Sequence, residues 1–367
     1  MGNKKVIGIF SSLGIPPRYG GLETLAWYIS NHLSKNGYKV LVQTKKGDDN
    51  NEKNSFSNYL IPVYFSRKDS LIGDLLYDLK AFLTMSKKVD IALVLGYGSA
   101  PFLKIFKINN IPLILHTAGM EWQRPRFNDF QRYILKYFEK IGANSADHLI
   151  VDSLTIKKYM DSNYNTESTY ISYGAEIFDV NKSDLPLKTR VKPNDYFLFI
   201  GRLEPSTSVD YIIKEFVKSK RKEKLLLVGP ILPSYKNKLE TIAGNDKRII
   251  FAGEVYGNPK GLFALRKYAC SSINGHRTGG TPPSLIEALS AGRHIIAHNN
   301  PYIHDALGDI YTSYYDYIPN SLSNILNELD DDTLLKEKDQ QYINRYESMF
   351  KWPIICQEYE ELFDKII

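Results

Sequence analysis

The 367-residue sequence has little cysteine, with Cys270 and Cys356 as its only two thiols. This scarcity excludes a disulfide framework or a CxxC metal pair as the basis of the fold. Long hydrophobic runs are missing too, because no apolar stretch approaches the roughly 18–20 residues of a membrane-spanning helix. The sequence begins Met-Gly-Asn-Lys-Lys and enters an apolar strand without the pattern of a signal peptide. We therefore expect a cytoplasmic protein, with peripheral contact at the inner face of the cell membrane as its closest association with lipid.

A strong excess of one charge sign is also absent, since the formal net charge is only +6. No nucleic-acid-binding motif accompanies the basic residues, and nucleic acid is therefore not expected as a partner. A modest basic excess is typical of a solvated surface, and it also favours anionic lipid or pyrophosphate ligands. Repeats of solenoid length and low-complexity tracts are missing, which leaves ordinary globular domains.

Short apolar runs alternate with amphipathic segments along the chain, a pattern typical of parallel sheets covered by helices. In the first half the predicted strands are 5–10, 39–43, 59–65, 91–95, 112–116 and 149–151, and the predicted helices are 22–35, 71–87 and 129–142. After a polar stretch at 176–193, predicted to be a linker, strands follow at 196–200, 224–228, 249–251, 269–273 and 294–297. Helical segments at 319–329, 332–347 and 353–366 complete the pattern.

Length and pattern together predict an α/β fold with two doubly wound domains. Their predicted bounds are 1–180 and 181–350, followed by a helical segment at 351–367. In such sheets, ligands bind outside the carboxyl ends of the strands. Polar residues that directly follow a strand are therefore the first candidates for a site.

The stretch from Asn274 to Gly292 carries the strongest functional signal. A polar, glycine-rich loop that contains His276 follows an apolar strand and leads into a helix that carries Glu287. The N–H groups and the positive dipole end of a helix start bind phosphates. A carboxylate one to two turns further on can accept hydrogen bonds from a ribose diol. The stretch predicts a nucleotide-diphosphate site, although His276 alone is equally consistent with a hydrogen-bonded loop residue.

A second glycine-containing loop follows the first strand and includes Arg18, Gly20, Gly21 and Glu23. The two glycines let the backbone approach a ligand closely, and the N–H groups of the next helix can bind a phosphate or an incoming hydroxyl. The spacing does not match the GxGxxG dinucleotide fingerprint. The alternative interpretation is a tight strand–helix turn in which Glu23 complements the helix dipole.

Two further polar residues lie at the ends of predicted strands. Arg202 follows the strand at 196–200, and its planar guanidinium suits a pyrophosphate. The alternative for Arg202 is a surface ion pair with Glu204. His116 ends the strand at 112–116, where it can donate to a sugar hydroxyl or act near a departing phosphate. The alternative for His116 is a structural role, which is the usual one for a lone histidine.

Acidic candidates are fewer. Glu121 lies five residues after His116 and is the second candidate carboxylate, with a partner of Arg124 or Arg126 as the alternative interpretation. The acidic run at 330–332 resembles a metal cluster in composition, but it lies between helical segments and away from strand ends. We therefore predict a solvated helix cap there.

Together these residues resemble the retaining glycosyltransferases of family 4, which have the two-domain GT-B fold. The resemblance runs over nearly the whole chain. Its motifs are Gly20-Gly21-x-Glu23, His116, Tyr173-Gly174-Ala175, Gly201-Arg202, Val228-Gly229, Phe251-Ala252-Gly253 and the run from Gly280 through Ser284 and Glu287 to Gly292. Within the family, segments 14–24 and 119–122 look closest to bacterial rhamnosyltransferase-like enzymes of capsule and cell-wall polysaccharide assembly.

The resemblance implies two Rossmann-like domains that face each other across a cleft. It implies transfer of a sugar, rhamnose or another hexose, from a nucleotide-diphosphate donor with retention at the anomeric carbon. Glu287 is implied to bind the ribose hydroxyls, and Arg202 is implied to hold the diphosphate together with the N–H groups of Gly280, Thr281 and Ser284. No cofactor or metal is implied, because an arginine and a helix dipole can stabilise the leaving diphosphate.

The resemblance also assigns roles outside the donor-binding loop. His116 is implied to contact the donor sugar. The first domain is implied to bind a saccharide acceptor, often one linked to polyprenyl diphosphate, and the C-terminal helix is implied to cross back onto that domain.

Three positions depart from the family pattern. Gly279 stands where the family often has a second glutamate, eight residues before Glu287, so backbone N–H groups are expected to contact the donor sugar instead. Segment 205–209 lacks the lysine that commonly follows the Gly-Arg pair, which removes one positive charge. Ala118 stands where the closer relatives tend to have an aspartate. If that aspartate is the catalytic base, Glu121 or the donor phosphate is expected to replace it.

These departures keep two alternatives open, a catalytically weakened partner or scaffold protein and a GT-B nucleotide-sugar epimerase. A separate expectation concerns lipid, because segments 101–107 and 126–140 combine aromatic residues with lysine and arginine. Such a pattern can place a helix at a lipid surface. It is equally typical of a core-facing apolar stripe with a solvated basic face.

Overall fold

The computed structural model describes residues 5–17, 20–46, 57, 59–68, 70–125, 127–255, 257–310, 312–330 and 340–366. Within this part of the chain, two compact units separate. The first comprises the described residues of 1–123, 127–173 and 352–367, and the second comprises those of 124–126 and 174–351. The change of unit after Tyr173 precedes the boundary expected from the sequence, which lay at 180.

A seven-stranded parallel sheet forms the centre of the first unit. Its strands are β1 (Val6–Phe10), β2 (Lys39–Lys45), β3 (Leu60–Phe65), β4 (Ile91–Leu95), β5 (Leu113–His116), β6 (His148–Val151) and β7 (Ser168–Tyr170), in the spatial order β3-β2-β1-β4-β5-β6-β7. Every residue of β4 is buried. Such a continuous apolar run is expected of a parallel strand that is covered on both faces.

Five α-helices accompany these strands between residues 21 and 164 of the described chain. They are α1 (Gly21–Lys35), α2 (Leu71–Met85), α3 (Lys104–Ile108), α4 (Asp129–Ser145) and α5 (Leu154–Tyr164). Local side chains fix their starts: Ser70 Oγ accepts the Gly73 N–H at 3.0 Å before α2, and Asn128 and Gln131 form a reciprocal capping box at α4. Leu25 and Ile29 of α1 pack on one face of the sheet, whereas α2, α3 and α4 cover the other.

The second unit contains a six-stranded parallel sheet of its own. Its strands are β8 (Tyr196–Ile200), β9 (Lys224–Val228), β10 (Ile249–Gly253), β11 (Ser271–Asn274), β12 (Ile295–His298) and β13 (Ser313–Tyr315), in the order β10-β9-β8-β11-β12-β13. Its helices are α6 (Val209–Lys218), α7 (Pro233–Ala243), α8 (Pro259–Lys267), α9 (Pro283–Ser290), α10 (Pro301–Leu307), α11 (Ser321–Glu328) and α12 (Gln340–Met349).

The strand order reverses beside the first strand of each sheet. In the first unit β1 lies between β2 and β4, and in the second unit β8 lies between β9 and β11. At such a switch point the loops that follow adjacent strands diverge to opposite faces, which leaves a crevice where ligands bind. The candidate residues that follow β1, β8 and β11 therefore lie at the expected edge of each sheet.

The final helix, α13 (Trp352–Ile366), belongs to the first unit. It packs against α1, where the Trp352 ring stacks on Tyr28 with centroids 4.1 Å apart. The Asn36 side chain donates to Glu360 Oε2 at 2.6 Å, and the Tyr38 hydroxyl donates to Asp364. The terminal helix is thus an integral part of the first unit.

The predicted α/β class with two doubly wound units is confirmed. The sequence patterns missed β7, α5 and β13, which are short or partly exposed. The predicted linker at 176–193 contains two short 3-10 turns, Lys182–Asp184 and Leu187–Thr189. The helix predicted at 332–347 falls partly outside the described residues, and α12 begins at Gln340. Among the described residues, no helix is both long and apolar enough to cross a bilayer.

Candidate functional site

The loop after β8 places Arg202 at the carboxyl edge of the second sheet. Gly229, directly after β9, lets the two loops approach closely, because a Cβ there would lie 2.0 Å from the Gly201 carbonyl oxygen. Arg202 is partly exposed, and its Nη2 lies 3.6 Å from Glu204 Oε1. The ion pair that formed the alternative interpretation is therefore present. Among the described residues this is its one ion pair, and at 3.6 Å it leaves most of the donor fork of the guanidinium available.

Glu204 itself is buried and accepts a hydrogen bond from the Ser206 hydroxyl. Segment 205–209, where a lysine was expected from the resemblance, forms a 3-10 turn followed by Ser208 in the left-handed region at φ 53°. The Ser208 Oγ is buried without a hydrogen-bond partner. The Arg202–Glu204 pair is thus anchored on a tight turn that supplies no second cation.

His276 lies beside Arg202 after β11. Its Cε1 would be 3.8 Å from a Cβ on Gly201, and its Nδ1 is buried with no hydrogen-bond partner among the described residues. Burial lowers the pKa of the imidazole to about 4, and the guanidinium groups of Arg124 and Arg202 add to the effect. His276 is therefore neutral at physiological pH, with one ring nitrogen free to bind a ligand.

The backbone around His276 is held from the neighbouring loop. Asn300 donates to the His276 carbonyl oxygen at 2.9 Å, and the Asn274 side chain accepts the His276 N–H at 3.2 Å. The next side chain, Arg277, stacks over the Tyr317 ring at 4.2 Å. These contacts therefore fix the first half of the loop, around His276 and Arg277.

Two glycines at positive φ connect this loop to α9. Gly279 and Gly280 have φ values of 100° and 99°, in which a side chain would be strained. Thr281 is buried, and Ser284 Oγ at the helix start is buried and finds no hydrogen-bond partner in the part of the chain that the structure describes. The loop and helix start therefore bring backbone N–H groups and an unpaired hydroxyl to the carboxyl edge of β11.

Glu287 lies on the second turn of α9 and forms an ion pair with Arg266 of α8. The Arg266 side chain is 5% exposed, whereas that of Glu287 is 41% exposed. Arg266 and Ser284 line the same small cavity beneath the helix, together with Asn274. Sequence reasoning missed Arg266, because nothing in the amphipathic pattern of α8 distinguishes it from a solvated arginine.

In the first unit, His116 ends β5 as predicted and is buried. Its Nδ1 accepts the Ala118 N–H at 3.1 Å, which assigns the proton of the neutral ring to Nε2. Burial lowers the pKa of His116 to about 4. A neutral imidazole with a fixed Nε2–H can donate to a hydroxyl but cannot supply a positive charge.

The residues after His116 form a strained turn. Ala118 has φ 54° and Gly119 has φ 85°. Glu121 begins a 3-10 turn, and its N–H donates to the Tyr97 hydroxyl at 2.8 Å. The turn therefore fixes the backbone of Glu121 close to β4 and β5.

The loop after β1 supports the simpler interpretation of Glu23. Its Oε1 accepts the Leu13 N–H at 3.3 Å, and it lies in the first turn of α1. Gly20 has φ 115°, and a Cβ there would lie 2.0 Å from Glu23 Oε2. Gly21 is the first residue of the helix. Arg18 lies outside the described residues.

A half-buried carboxylate that sequence reasoning missed holds the start of this loop. Asp78 of α2 accepts hydrogen bonds from Ser11 Oγ at 3.1 Å, from Gln43 Nε2 at 2.7 Å and from the Ser99 hydroxyl. Gln43 Oε1 in turn accepts the Ser11 N–H at 2.8 Å. Desolvation raises the pKa of Asp78. Asp78 resembles an ordinary exposed helix residue in the sequence, so no sequence signal marked it.

The described residues contain no group of three or more His, Cys, Asp or Glu side chains that could hold a metal ion. Of the acidic run at 330–332, only Asp330 lies among them. The candidate residues fall into two sets, one within each unit. Arg202, His276, Ser284 and Glu287 lie around β8, β11 and α9 of the second, whereas His116, Glu121, Gly20, Gly21 and Glu23 follow β1 and β5 of the first.

Comparison with known proteins identifies relatives for both halves. Residues 4–176 match a family described as a domain of unknown function, DUF1972, and residues 194–317 match the family described as glycosyl transferases group 1. In sequence, the chain is similar to alpha-monoglucosyldiacylglycerol synthase of Streptococcus pneumoniae, with 21% identity over 331 residues, 83% of this chain and 73% of the relative.

Solved structures with the same fold cover almost the whole chain. Sucrose-phosphate synthase from Thermosynechococcus elongatus has a TM-score of 0.81 at 18% identity, covering 99% of both chains. HepE of Anabaena in complex with UDP-glucose has a TM-score of 0.73 at 14% identity, covering 98% of this chain and 100% of that one.

These matches place the chain in the glycosyltransferase class of enzymes, with the GT-B arrangement of two Rossmann-like units. Within the chain, the match to the glycosyl transferases group 1 family is confined to residues 194–317.

Proposed function

We propose that this chain is a retaining glycosyltransferase of family 4 that acts in bacterial surface polysaccharide synthesis. It moves rhamnose or another hexose from a nucleotide-diphosphate donor to a saccharide acceptor linked to a polyprenyl diphosphate. The transfer takes place at the cytoplasmic face of the cell membrane.

The polar group at the carboxyl ends of β8 and β11 carries the proposal. Arg202 is partly exposed there, and no described residue forms a hydrogen bond with the buried His276 Nδ1 or Ser284 Oγ. An unsatisfied buried polar atom costs about 1–3 kcal/mol, and native proteins contain few of them. A ligand that hydrogen-bonds to these atoms therefore offsets a cost already present in the unliganded unit.

A nucleoside diphosphate fits the chemistry of this group. The Arg202 guanidinium and the N–H groups of Gly280, Thr281 and Ser284 suit the diphosphate oxygens. The Glu287 carboxylate accepts hydrogen bonds from the ribose hydroxyls. The ion pair with Arg266 fixes the orientation of this carboxylate. The Arg124 guanidinium lies beside Gly279, because its Nε would be 3.5 Å from a Cβ there, and it adds a positive charge next to this loop.

In the proposed reaction, the bond between the anomeric carbon and the diphosphate oxygen breaks. The acceptor hydroxyl oxygen forms the new bond on the same face of the sugar, and its proton passes to the departing diphosphate. Arg202 and the α9 dipole stabilise the charge that develops on the diphosphate. His116 donates its Nε2–H to a donor-sugar hydroxyl, and Glu121 orients the acceptor.

Two relatives suggest the first substrates to test. HepE of Anabaena was solved with UDP and with UDP-glucose, which makes uridine diphosphate donors a reasonable starting set. The name of alpha-monoglucosyldiacylglycerol synthase refers to a glycolipid, and this supports a test of lipid-linked acceptors here.

Calorimetric titration with UDP tests the donor site. We expect Glu287→Ala and Arg202→Ala each to weaken UDP binding at least about tenfold, the equivalent of one lost hydrogen bond to a charged group. Glu240→Ala, an exposed glutamate on α7, is the matched control and should leave affinity unchanged. Unchanged affinity in both site variants rejects the assignment of the donor site.

Turnover distinguishes the proposal from its two alternatives. Transfer to a polyprenyl-diphosphate saccharide, insensitive to EDTA and with retained anomeric configuration, is the expected result. Tight donor binding without transfer or hydrolysis identifies a scaffold protein. Conversion of the donor sugar without an acceptor identifies an epimerase.

A further inference from the structure

The outer surface of α2, α3 and α4 is apolar and basic at once. These three helices cover the same face of the first sheet, and α3 contacts α2 while the 3-10 turn before it contacts α4. Their exposed large hydrophobic side chains are Ile72, Leu76, Leu83, Ile108, Phe130, Tyr133 and Tyr137. We call this surface the α2–α4 face. Large exposed apolar patches on soluble proteins mark sites of contact with other proteins or with membranes.

Helix α4 shows the pattern most clearly. Phe130 is 71% exposed, Tyr133 is 73% exposed and Tyr137 is 56% exposed. Their spacing of three and four residues places them in one stripe along the helix. The core-facing interpretation of segment 126–140 is therefore wrong for these three aromatic side chains, since they point away from the sheet.

Lysines flank this stripe. Lys136 and Lys140 are exposed and follow the aromatic residues at the same helical spacing. The Lys136 ammonium lies 4.7 Å from the centre of the Trp122 ring, and neither lysine forms an ion pair within the described part of the chain. Asp129, at the helix start, is the one exposed carboxylate on this helix. The stripe therefore combines apolar rings with uncompensated positive charge.

Beside the lysines, a groove of about 420 Å³ opens between α4 and α5. Lys136, Lys140, Asn144, Tyr159 and Asn163 line it, and all of them carry hydrogen-bond donors. Tyr159 and Tyr164 of this lining donate their hydroxyls to the buried Glu139, each at 2.7 Å. The two lysine ammonium groups are therefore the part of the lining that suits an anionic headgroup.

The other two helices repeat the combination. Ile72, Leu76 and Leu83 form one exposed stripe on α2, which also exposes Lys80. On α3, Ile108 is 78% exposed and lies next to the exposed Lys107. The buried Phe106 shows that the aromatic residues of segment 101–107 instead face the core.

From these observations we infer that the α2–α4 face docks to an anionic lipid bilayer. The aromatic and aliphatic side chains enter the headgroup boundary, and the lysines and the α4–α5 groove receive lipid phosphates. A second copy of the same chain is a poorer occupant, because two faces rich in unpaired lysine repel each other. The inference rests on the membrane location given in the proposed function and names the surface that docks there. Its test needs no donor or acceptor, so failure to bind vesicles is distinguishable from failure of the donor site.

Vesicle flotation of the full chain, without nucleotide or acceptor, tests this inference. We expect binding to phosphatidylcholine vesicles that contain phosphatidylglycerol, weakening as salt is raised, and little binding to phosphatidylcholine alone. Lys136→Gln with Lys140→Gln should weaken binding roughly thirtyfold, from about 1 kcal/mol for each lysine. Phe130→Ser with Tyr133→Ser should also weaken it.

Matched controls carry the same chemical changes elsewhere. Lys220→Gln with Lys260→Gln, and Leu187→Ser with Ile177→Ser, alter exposed residues of the second unit and should leave flotation almost unchanged. Melting curves should match the wild type for every variant, since all sites are exposed. The inference is overturned if the wild type does not bind anionic vesicles, or if the controls lose as much binding. Dimers that dissociate on Phe130→Ser with Tyr133→Ser would also overturn it.

Discussion

At the scale of single residues, burial decides what His116 can do. The ring is buried, its Nδ1 accepts the Ala118 N–H, and its pKa is lowered to about 4. A sequence can place a histidine at a strand end, but it cannot tell whether the ring is solvated. The proposed hydrogen bond from His116 to a sugar hydroxyl depends on that neutral state.

His116 should therefore make stability depend on pH. Its folded-state pKa lies below the unfolded value of about 6.5. The contribution of neutral His116 to the free energy of unfolding is complete above pH 6.5. It is lost as pH falls towards 4, because the unfolded chain binds a proton at a higher pH than the folded chain does. Between pH 7 and pH 5 the loss should be about 2 kcal/mol, from a total of about 3 kcal/mol for the whole shift. Urea unfolding of the wild type and His116→Gln at pH 7 and pH 5 measures it, and an equal decline in both proteins contradicts the assignment.

The backbone conformation at Gly20 requires glycine. Its φ of 115° and the nearby Glu23 carboxylate exclude a side chain. We expect Gly20→Ala to destabilise the protein by about 1–3 kcal/mol, as is typical of strained backbone. Gly98→Ala is the matched control, since a Cβ there meets nothing within 4 Å. Equal unfolding midpoints for the two variants would show that the loop can relax.

At the scale of elements, the sequence predicted most strands and the longer helices, because buried parallel strands and amphipathic helices have distinct periodicities. It missed β7, α5 and β13, since three-residue strands and helices with weak polarity contrast have no clear period. It placed Arg202, His276 and Glu287 correctly after strands or on the expected helix. It did not find Arg266 or Asp78, because long-range pairing leaves no local pattern.

The loop after β1 depends on such a long-range pair. Asp78 accepts hydrogen bonds from Ser11, Gln43 and Ser99, which lie on three separate segments. We expect Asp78→Ala to destabilise the protein by about 1–3 kcal/mol because buried donors lose their acceptor.

Amide hydrogen exchange locates this effect. Exchange in residues 11–14 should accelerate in Asp78→Ala, whereas the exposed Asp129→Ala should leave it unchanged. Uniform protection across the loop in both variants would mean that Gln43 alone holds Ser11.

At the scale of the whole molecule, the first unit is built from separated stretches of chain. Residues 352–366 form α13, which packs on α1 and contributes Ile355, Tyr359 and Phe363 to the core of the first unit. The second unit is almost continuous in sequence, from 174 to 351. The fold class was predictable from periodicity. The return of the C-terminal helix to the first unit was implied only by the resemblance.

Removal of α13 should therefore affect the two units unequally. Truncation after Lys351 exposes the apolar surface that α13 covers on α1, so the first unit should lose cooperative unfolding. Residues 174–351 alone should retain a cooperative transition and, under the proposed function, UDP binding. Circular dichroism melting of both fragments measures this, and a full-strength transition in the first unit without α13 would refute the dependence.

The same arrangement has a consequence for biosynthesis. A ribosome completes residues 174–351, the second unit, before it adds the helix that closes the first unit. The first unit therefore stays incomplete until residues 352–366 have been synthesised, and its uncovered α1 surface is available to chaperones during that time. Termination of translation within 352–366 would leave a product with one sound unit and one defective unit.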